Sequence, residues 1–502
     1  MGSSKLFMAV DLGTSFIKTG VYGMDGICLA GASEPVCDER PGPGIFLQHG
    51  QQLYESVLRC IQKTVNQLAD RALDVEAIAF TGQMAGSMGV DENWNDVTTW
   101  SCSLDSRYLP YANRQRELFA DDMFSICGTN APVMCSKYDW FKNDFPEEHK
   151  RIAKYVMLNG FVIGKLSGIP VADACMDNSL IVWTGMADIR ERSWSDELCR
   201  KMGVDKDLLP RIVNCTDVGG YLSEEMAKQL GLKSGIPLVA GAGDKVSGCI
   251  GSAVFDYGDM IFEASSYGAI SVMVPDVRLD EEKRNYDVIG AMDRSGYYVH
   301  KYIQGSGIAI DWFVDTFMDK DFRKAEELAA TAPLGSGNML QIGLLGGSAM
   351  PFDSEQKGLM MGHTWNHHKG HFYRSLLEGF SYDLALTLRS IEKNYDCCHG
   401  STIKLIGGGT KSAVWPQILA DVTGHKFTLL SRSDVALWGT ALLAATGTGA
   451  VADIKEASRA NVQTGKVFTP DENAHKAYAP YVDLYEEATV QMKNLYAKLN
   501  KL

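Results

Sequence analysis

One acid and two hydroxyls stand directly after an apolar run in the segment FMAVDLGTSFIK, which begins at residue 7. Asp11 ends the run, Thr14 and Ser15 follow a glycine, and Lys18 closes the segment. A turn of this kind can direct backbone N–H groups and hydroxyls at phosphate oxygens, while the carboxylate holds a hydrated Mg2+ ion. The alternative is a plain hairpin, since Asp-x-Gly also forms ordinary turns. Other parts of the chain must decide between the two.

A second turn rich in hydroxyls, Ser265 with Ser266, separates two apolar runs in residues 259–274. It repeats the first segment, with ASS in the place of the earlier GTS. A phosphate chain held from two domains would need one such turn from each domain. The alternative is a serine-rich turn without a ligand. The repetition predicts a weak internal duplication of the chain.

Three consecutive glycines at 407–409 stand between the apolar run IKLI and a helical pattern. Glycines let a phosphate or a flat ring approach the backbone closely, and the start of a helix offers free N–H donors. The spacing is not G-x-G-x-x-G, because residue 412 is Ser, and G-x-x-x-x-G-K-[ST] does not occur. The loop predicts a nucleotide site of another design.

Asp244 follows an apolar run in GAGDKVSG, where glycines leave room for a substrate. A free aspartate is a weak base near neutral pH, with an ordinary pKa of about 3.9. In phosphoryl transfer through a loose transition state the hydroxyl proton leaves late. A carboxylate that orients the hydroxyl and accepts its proton is therefore sufficient. The alternative role is that of a helix N-cap.

The composition excludes several classes of protein. A chain of 502 residues is too long for one hydrophobic core, so two or more domains are expected. The net charge of -14 leaves no basic stripe of the kind that nucleic-acid binding requires. No secretory signal or membrane span is predicted, and the scattered cysteines fit reduced thiols. We expect a cytoplasmic protein without membrane or nucleic-acid partners.

Elements of an α/β fold must position these groups. The first strand is followed by a hairpin, a helical pattern, and the buried strand VEAIAFTG with a glycine loop behind it. A strand, a glycine turn and a helix start recur at 235–254 and again at 401–424. We therefore divide the chain into domains 1–254 and 255–502, each with one hydroxyl-bearing hairpin, and expect a cleft between them.

In this order the features resemble the FGGY family of carbohydrate kinases over residues 6–455, nearly the whole chain. The blocks that carry the resemblance are DLGTSFIK, TGQMAG, LDSR, KYDWF, GAGD, YRSLLEGFSYD and GGGTKSAVWPQILADVTG. The resemblance implies two duplicated ribonuclease H-like domains of the actin-like ATPase fold, with a cleft between them. It also implies transfer of the γ-phosphate of ATP, with Mg2+, to a hydroxyl of a sugar or polyol.

The resemblance further implies roles for individual residues. Asp11 falls on the position that holds Mg2+ indirectly, and Asp244 falls on the catalytic base. Contacts to the phosphates or the nucleotide are implied at Thr14, Ser15, Lys18, Ser265, Gly408, Gly409, Lys411 and Ser412.

The sugar side matches the family less closely, beginning with the block TGQMAG. Gln83 and Met84 match the GQMHG of xylulose kinases, but Ala85 stands where those enzymes have His. One polar contact to the sugar is therefore missing. The glycerol kinases of the family place an Arg-Glu pair in this loop, so glycerol is a distant candidate here.

Two further positions on the sugar side depart from the family. LDSR resembles a Trp-x-Asp-x-Arg segment, which implies that Asp105 and Arg107 lie on the sugar side, although Ser103 stands in the tryptophan position. Trp100 lies three residues earlier and fits the core better than the wall of a pocket. Lys245 follows the implied base, and a cation there can change which sugar is held.

The expected function is that of an ATP-dependent kinase for a ketopentose such as xylulose, or for a tetritol, a pentitol or another carbohydrate. A noncatalytic sensor of sugar or nucleotide on the same fold is the alternative. Actin-like polymers and heat-shock chaperones share the fold, but the sugar-side blocks argue against both. The sequence leaves the oligomeric state open, with a homodimer among the alternatives.

Overall fold

The computed structural model describes residues 5–131 and 133–502, which pack as two units. The first unit contains the chain up to Phe255 with Val288–Tyr298 and Asp434–Val462, and the second contains Asp256–Asp287, Val299–Ser433 and Gln463–Leu502. The division of the sequence into domains at residue 254 stays a prediction. In the structure, two segments from the second half of the chain pack with the first unit. Within the described residues, the helices are too short or too polar to cross a membrane.

The part of the chain before residue 256 contains twelve strands and eight α-helices among its described residues. The strands are β1 Leu6–Leu12, β2 Phe16–Tyr22, β3 Cys28–Pro35, β4 Val75–Gly82, β5 Met88–Val90, β6 Lys154–Val156, β7 Cys175–Asp177, β8 Ala187–Asp188, β9 Ser193–Trp194, β10 Arg211–Val213, β11 Val218–Tyr221 and β12 Pro237–Val239. The helices are α1 Gly50–Leu68, α2 Leu109–Cys127, α3 Met134–Asp144, α4 Pro146–His149, α5 Leu158–Ser167, α6 Asp196–Met202, α7 Glu224–Leu230 and α8 Asp244–Gly251.

The remaining strands and helices follow in chain order. The strands are β13 Met260–Glu263, β14 Gly268–Val274, β15 Asp287–Gly290, β16 Tyr297–Ile303, β17 Leu340–Ile342, β18 Ser348–Ala349, β19 Phe352–Asp353, β20 Leu359–Met361, β21 Ile403–Ile406, β22 Phe427–Leu430 and β23 Thr464–Phe468. The helices are α9 Ser306–Phe317, α10 Phe322–Thr331, α11 Lys369–Asn394, α12 Trp415–Thr423, α13 Val435–Gly447, α14 Ile454–Ala460 and α15 Glu472–Leu499.

The first unit is built on a mixed sheet with the strand order β11-β12-β4-β1-β2-β3. Strands β1, β2 and β3 form an antiparallel meander, whereas β1, β4 and β12 are parallel neighbours. Strands β1 and β4 are buried along nearly their whole length, which explains their mostly apolar sequences. The parallel arrangement brings the carboxyl ends of three strands to one edge.

The second unit repeats this topology. Strands β16, β14, β13, β21, β22 and β23 are neighbours in that order. Strand β13 pairs antiparallel with β14 and parallel with β21, which in turn is parallel to β22. Strand β23 closes the sheet antiparallel to β22, as β11 does beside β12. The predicted internal duplication is therefore confirmed at the level of strand order and direction.

The strand registers correct the predicted alignment of the two hairpins by one residue. Gly82 is paired with Leu12, and a Cβ on Gly82 would lie 2.5 Å from the Leu12 carbonyl oxygen. A Cβ on Gly407 would lie 2.5 Å from the carbonyl oxygen of Ala264 in the same way. Ala264 thus corresponds to Leu12 rather than to a turn residue. The residue before it, Glu263, corresponds to Asp11.

We expect Gly241→Ala to destabilise the first unit strongly. Gly241 has a φ of +75°, and a Cβ there would lie 1.7 Å from the carbonyl oxygen of Phe80 on β4. Gly235 has a φ of +74° and nothing within 4 Å of a Cβ, so Gly235→Ala isolates the backbone cost of about 1–2 kcal/mol. Gly241→Ala should lower the melting temperature by about 5 °C more than Gly235→Ala does. Equal shifts in calorimetry would contradict the close approach.

Candidate active site

Three residues singled out from the sequence lie at one edge of the first sheet. Asp11 is paired with Thr81 near the ends of β1 and β4, Gln83 follows β4, and Asp244 begins α8 after β12. The parallel pairing of these strands brings their carboxyl ends to the same edge. Ligands of α/β proteins commonly bind at such an edge.

A small pocket opens at this edge with two unsatisfied polar atoms in its wall. Thr81 and Gln83 line the pocket together with Leu12, Asn159 and Gly243. Thr81 Oγ1 and Gln83 Nε2 are buried and have no hydrogen-bond partner among the described residues. Leaving a buried polar group unsatisfied costs about 1–3 kcal/mol. The space open in the pocket is about that of one water molecule, so a single hydroxyl or a water could supply the missing partners.

Trp100 orients the side chain of Gln83. The tryptophan is fully buried, as its sequence position suggested, and its Nε1 donates to Gln83 Oε1 over 3.3 Å. This contact leaves the amide nitrogen of Gln83 directed away from Trp100. In the same loop Met84 packs against Gly243, where a Cβ would lie 2.6 Å from Met84 Cγ, while Ala85 is partly exposed.

Asp105 and Arg107 form a two-pronged ion pair. Arg107 Nε donates to Asp105 Oδ1 and Nη2 donates to Oδ2, both over 2.8 Å, and Ser101 Oγ also donates to Oδ2. Asp105 is fully buried, whereas the Arg107 side chain is 26% exposed and lies over the ring of Trp140. Arg107 is therefore the member of the pair with a surface available to a ligand. Asp105 fixes its direction.

Lys137 supports the loop that carries this pair. It lies in the block KYDWF, is fully buried, and donates from Nζ to the carbonyl oxygens of Ser101 and Cys102. Its ammonium also lies 4.7 Å from the centre of the Tyr108 ring. Burial lowers the pKa of Lys137 to about 7. Sequence reasoning found the block but not this role.

Asp244 begins α8 and is paired with its neighbour. Its side chain is 41% exposed, and Lys245 Nζ lies 3.7 Å from Asp244 Oδ2. Helix α8 packs closely on α13, since a Cβ on Gly439 would lie 2.0 Å from the carbonyl oxygen of Ser247. The Asp244 carboxylate is therefore accessible, while the close packing of α8 on α13 holds its backbone in place.

A buried carboxylate that sequence reasoning missed lies beneath this segment. Asp177 is fully buried at the end of β7 and accepts hydrogen bonds from Asn159 Nδ2, from the backbone N–H and hydroxyl of Ser179, and from Cys215 Sγ. Burial raises the pKa of Asp177 to about 6. The sequence signal was an acid within the short polar run DNS after an apolar strand.

The first hairpin has the geometry of a tight turn. A Cβ on Gly13 would lie 2.6 Å from the Phe16 carbonyl oxygen, and Gln48 donates to the Thr14 carbonyl oxygen. Thr14 is partly exposed and Ser15 is exposed. Lys18 is exposed and is the cross-strand partner of Asp11.

The second sheet brings its own two loops together at the corresponding edge. Gly409 N–H donates to the carbonyl oxygen of Ala264 over 2.8 Å, which ties the glycine loop to the second hairpin. Ser265 Oγ donates to the Tyr267 carbonyl oxygen, so its hydroxyl is partly engaged within the turn. A Cβ on Gly408 would meet open space, as expected for a backbone that a ligand approaches.

Ser412 is engaged at the start of α12. Its hydroxyl donates to Glu326 Oε2 over 2.8 Å and accepts the backbone N–H of Trp415. Glu326, on α10, also accepts the N–H of Ala413, so it holds the start of the helix from outside the loop. Lys411 is exposed beside it. Glu326 lay outside every motif singled out in the sequence.

Asp11 fits the role of a carboxylate that holds Mg2+ through water. Among residues 5–131 and 133–502, no group of three or more His, Cys, Asp or Glu side chains could hold a metal ion. Mg2+ commonly keeps several waters and binds one or two carboxylates together with substrate phosphates. A partly buried acid beside a phosphate-type turn suits that mode of binding.

Comparisons with known proteins agree on one family. The sequence model of the N-terminal domain of the FGGY family of carbohydrate kinases matches residues 6–251, and that of the C-terminal domain matches residues 271–448. The xylulose kinase of Bacillus subtilis is 25% identical over 511 residues and covers 99% of each chain. The gluconokinase of the same organism is 23% identical over 509 residues, covering 98% of this chain and 97% of its own.

A solved structure has the same fold. The crystal structure of ligand-bound xylulose kinase from Lactobacillus acidophilus matches with a TM-score of 0.91 at 23% identity, covering 99% of this chain and 100% of its own. The predicted fold class is thereby confirmed.

Asp177 should make the stability of the protein depend on pH. Its pKa rises from an ordinary 3.8 to about 6 on folding, so proton binding favours the folded state. The contribution is full below about pH 3.8 and is lost as the pH rises through about 6. Nearby Cys175 and Cys215 stay neutral in this range, because burial raises the pKa of both thiols.

Asp177→Asn removes this titration while keeping the shape of the side chain. We expect the stability of the wild type relative to Asp177→Asn to fall by about 2 kcal/mol between pH 4 and pH 7. Calorimetric melting of both proteins across this range measures the difference. A difference that does not change with pH would contradict the shift.

Proposed function

Because the chain belongs to the FGGY family of carbohydrate kinases, we propose that it transfers the γ-phosphate of ATP to a hydroxyl of a ketopentose such as xylulose. The observation that carries the proposal is the edge where β1, β4 and β12 end. Asp11, two unsatisfied polar atoms and an accessible Asp244 lie there together. A kinase of this type needs an acid near the cation and a second acid near the acceptor hydroxyl.

Asp244 is proposed as the base that orients the acceptor hydroxyl and takes its proton. The half-exposed carboxylate directly follows Gly243, which lines the pocket, and the packing of α8 keeps its backbone in place. Because the proton is lost late in a loose transition state, a carboxylate is sufficient for this role. Positioning of the hydroxyl accounts for much of the expected acceleration.

The phosphate groups are assigned to the two hairpins and the glycine loop. Asp11 would hold a hydrated Mg2+ ion, which would supply positive charge to offset that of the phosphate groups. Hydrogen-bond donors of the turns would stabilise the negative charge that develops on oxygen atoms as the bond to the leaving group breaks. The residues proposed for these contacts are Thr14, Ser15, Lys18, Ser265, Gly408, Gly409, Lys411 and Ser412. The hydroxyl of Ser412 acts chiefly through its cap on α12.

The acceptor is proposed to contact Gln83, Met84, Ala85, Arg107 and Lys245, with Asp105 holding Arg107. An orphaned amide nitrogen and a guanidinium both donate, which suits the hydroxyls and carbonyl of a ketose. Xylulose kinases and gluconokinases have similar identity to this chain. A sugar acid is the second candidate, because Lys245 places a cation beside the proposed base.

A panel of acceptors tests the function directly. We expect MgATP-dependent ADP release with at least one of D-xylulose, other ketopentoses, pentitols, tetritols and gluconate. Asp244→Asn should lower kcat about a thousandfold or more, because the acceptor proton then has no base. Asp196→Asn is the matched control, since Asp196 also opens a helix and pairs with a lysine, and its rate should not change.

Two results would contradict the proposal. Full sugar-dependent turnover by Asp244→Asn would remove the base assignment. If the wild type released no ADP with any acceptor but bound one of them in calorimetry, the protein would be a sensor on the kinase fold.

The pocket amide of Gln83 gives a separate prediction. Gln83→Leu removes the unsatisfied donor, and we expect the KM for the acceptor to rise about tenfold while the KM for ATP stays within about twofold. Trp100→Phe keeps an aromatic side chain but removes the N–H that orients Gln83, so a smaller rise is expected. Steady-state kinetics with both substrates varied measures the split. An equal rise in both KM values would argue against a sugar-side role.

A further inference from the structure

Three successive backbone N–H groups immediately before Asp244 are held by three different parts of the first unit. The N–H of Gly241 donates to the carbonyl oxygen of Cys215 over 3.0 Å, and that of Ala242 donates to the carbonyl oxygen of Phe80 over 3.1 Å. The third, of Gly243, donates to the Ser179 hydroxyl oxygen over 2.9 Å. The first two acceptors are backbone atoms. The third is a side chain that a substitution can remove.

The hydroxyl of Ser179 is fixed in direction by Asp177. Ser179 is fully buried, and its Oγ donates to Asp177 Oδ1 over 2.5 Å. Because the hydroxyl proton points at the carboxylate, the lone pairs of the oxygen remain for the N–H of Gly243. Asn159 Nδ2 holds the other carboxylate oxygen over 2.7 Å, so Asp177 itself has little freedom.

The N–H of Gly243 does not donate to a hydrogen bond within α8, because it donates to Ser179. Its φ of -57° and ψ of 154° are extended, and it is the residue at which the chain enters the helix. The peptide plane between Ala242 and Gly243 therefore determines where the first helical residue, Asp244, begins. Misplacement of a reacting group by about 1 Å can cost about a hundredfold in rate.

We propose that Ser179, held by Asp177, is a positioning residue that fixes the entry into α8 and so aims the Asp244 carboxylate at the acceptor hydroxyl. This inference rests on the proposed function, since it assigns Ser179 a task only if Asp244 is the base. Neither Asp177 nor Ser179 needs to touch the substrate. Ser179→Ala should leave an unpaired buried N–H on Gly243 and free the peptide plane to turn.

The kinetic test uses the full-length protein with MgATP and D-xylulose, or the best acceptor of the panel. We expect Ser179→Ala to lower kcat about tenfold to a hundredfold, with the KM for the acceptor within about threefold of the wild type. The rate of ATP hydrolysis without an acceptor should not change, because that reaction does not depend on the orientation of Asp244. Asp177→Asn should have a smaller effect of the same kind at neutral pH.

Hydrogen exchange provides a readout that needs no substrate. In Ser179→Ala, peptides that cover residues 240–248 should exchange about tenfold faster than in the wild type, because one buried hydrogen bond is lost. Thr184→Val is the matched control. Thr184 is buried, and its hydroxyl accepts the N–H groups of Met186 and Ala187. The control should melt lower but keep both the kcat and the exchange of residues 240–248.

The outcomes separate the inference from the proposed function. Wild-type kcat and exchange in Ser179→Ala, with Asp244→Asn inactive, would overturn the inference alone. Equal losses of kcat in Ser179→Ala and Thr184→Val, with acceptor-independent hydrolysis also reduced, would overturn it as a general loss of stability. Full activity of Asp244→Asn would overturn the proposed function and the inference with it.

Discussion

Parallel pairing of β1, β4 and β12 is the constraint on which the proposed site depends. Because of this pairing, the three strands end at the same edge of the sheet. Gly82 at the end of β4 and Gly241 after β12 lie so close to neighbouring carbonyl oxygens that a side chain would not fit there. Asp11, Gln83 and Asp244 are far apart in the sequence and come together only through this arrangement. The second sheet repeats the strand order, which fits a chain that arose by duplication of one unit.

Around this edge, buried charges hold other groups rather than ligands. Asp105 accepts hydrogen bonds from Arg107 and fixes its side chain, and Lys137 donates to carbonyl oxygens of the same loop. Asp177 accepts the hydroxyl proton of Ser179 and so fixes the direction of that hydroxyl. A buried charge is costly unless fully hydrogen-bonded, and each of these has several partners. Thr81 Oγ1 and Gln83 Nε2, which lack partners among the described residues, lie in the pocket wall instead.

The sequence predicted the strands, the turns and the family well, because long apolar runs and glycine turns depend on local chemistry. It did not predict which side chains are engaged by others. The predicted alignment of the two hairpins was wrong by one residue, because the hairpins differ in length. Glu263 was therefore not recognised as the counterpart of Asp11. Ser179 and Glu326 were missed because each acts on a segment more than sixty residues away. No local pattern records such contacts.

A crystal structure of the protein with MgADP and an acceptor sugar is the most direct test of the proposed roles of Asp11 and Asp244. We predict an acceptor hydroxyl oxygen within about 2.6–3.2 Å of an Asp244 carboxylate oxygen, with the cation and its waters beside Asp11. An acceptor bound at any other edge of the first sheet, or a cation remote from Asp11, would contradict these roles.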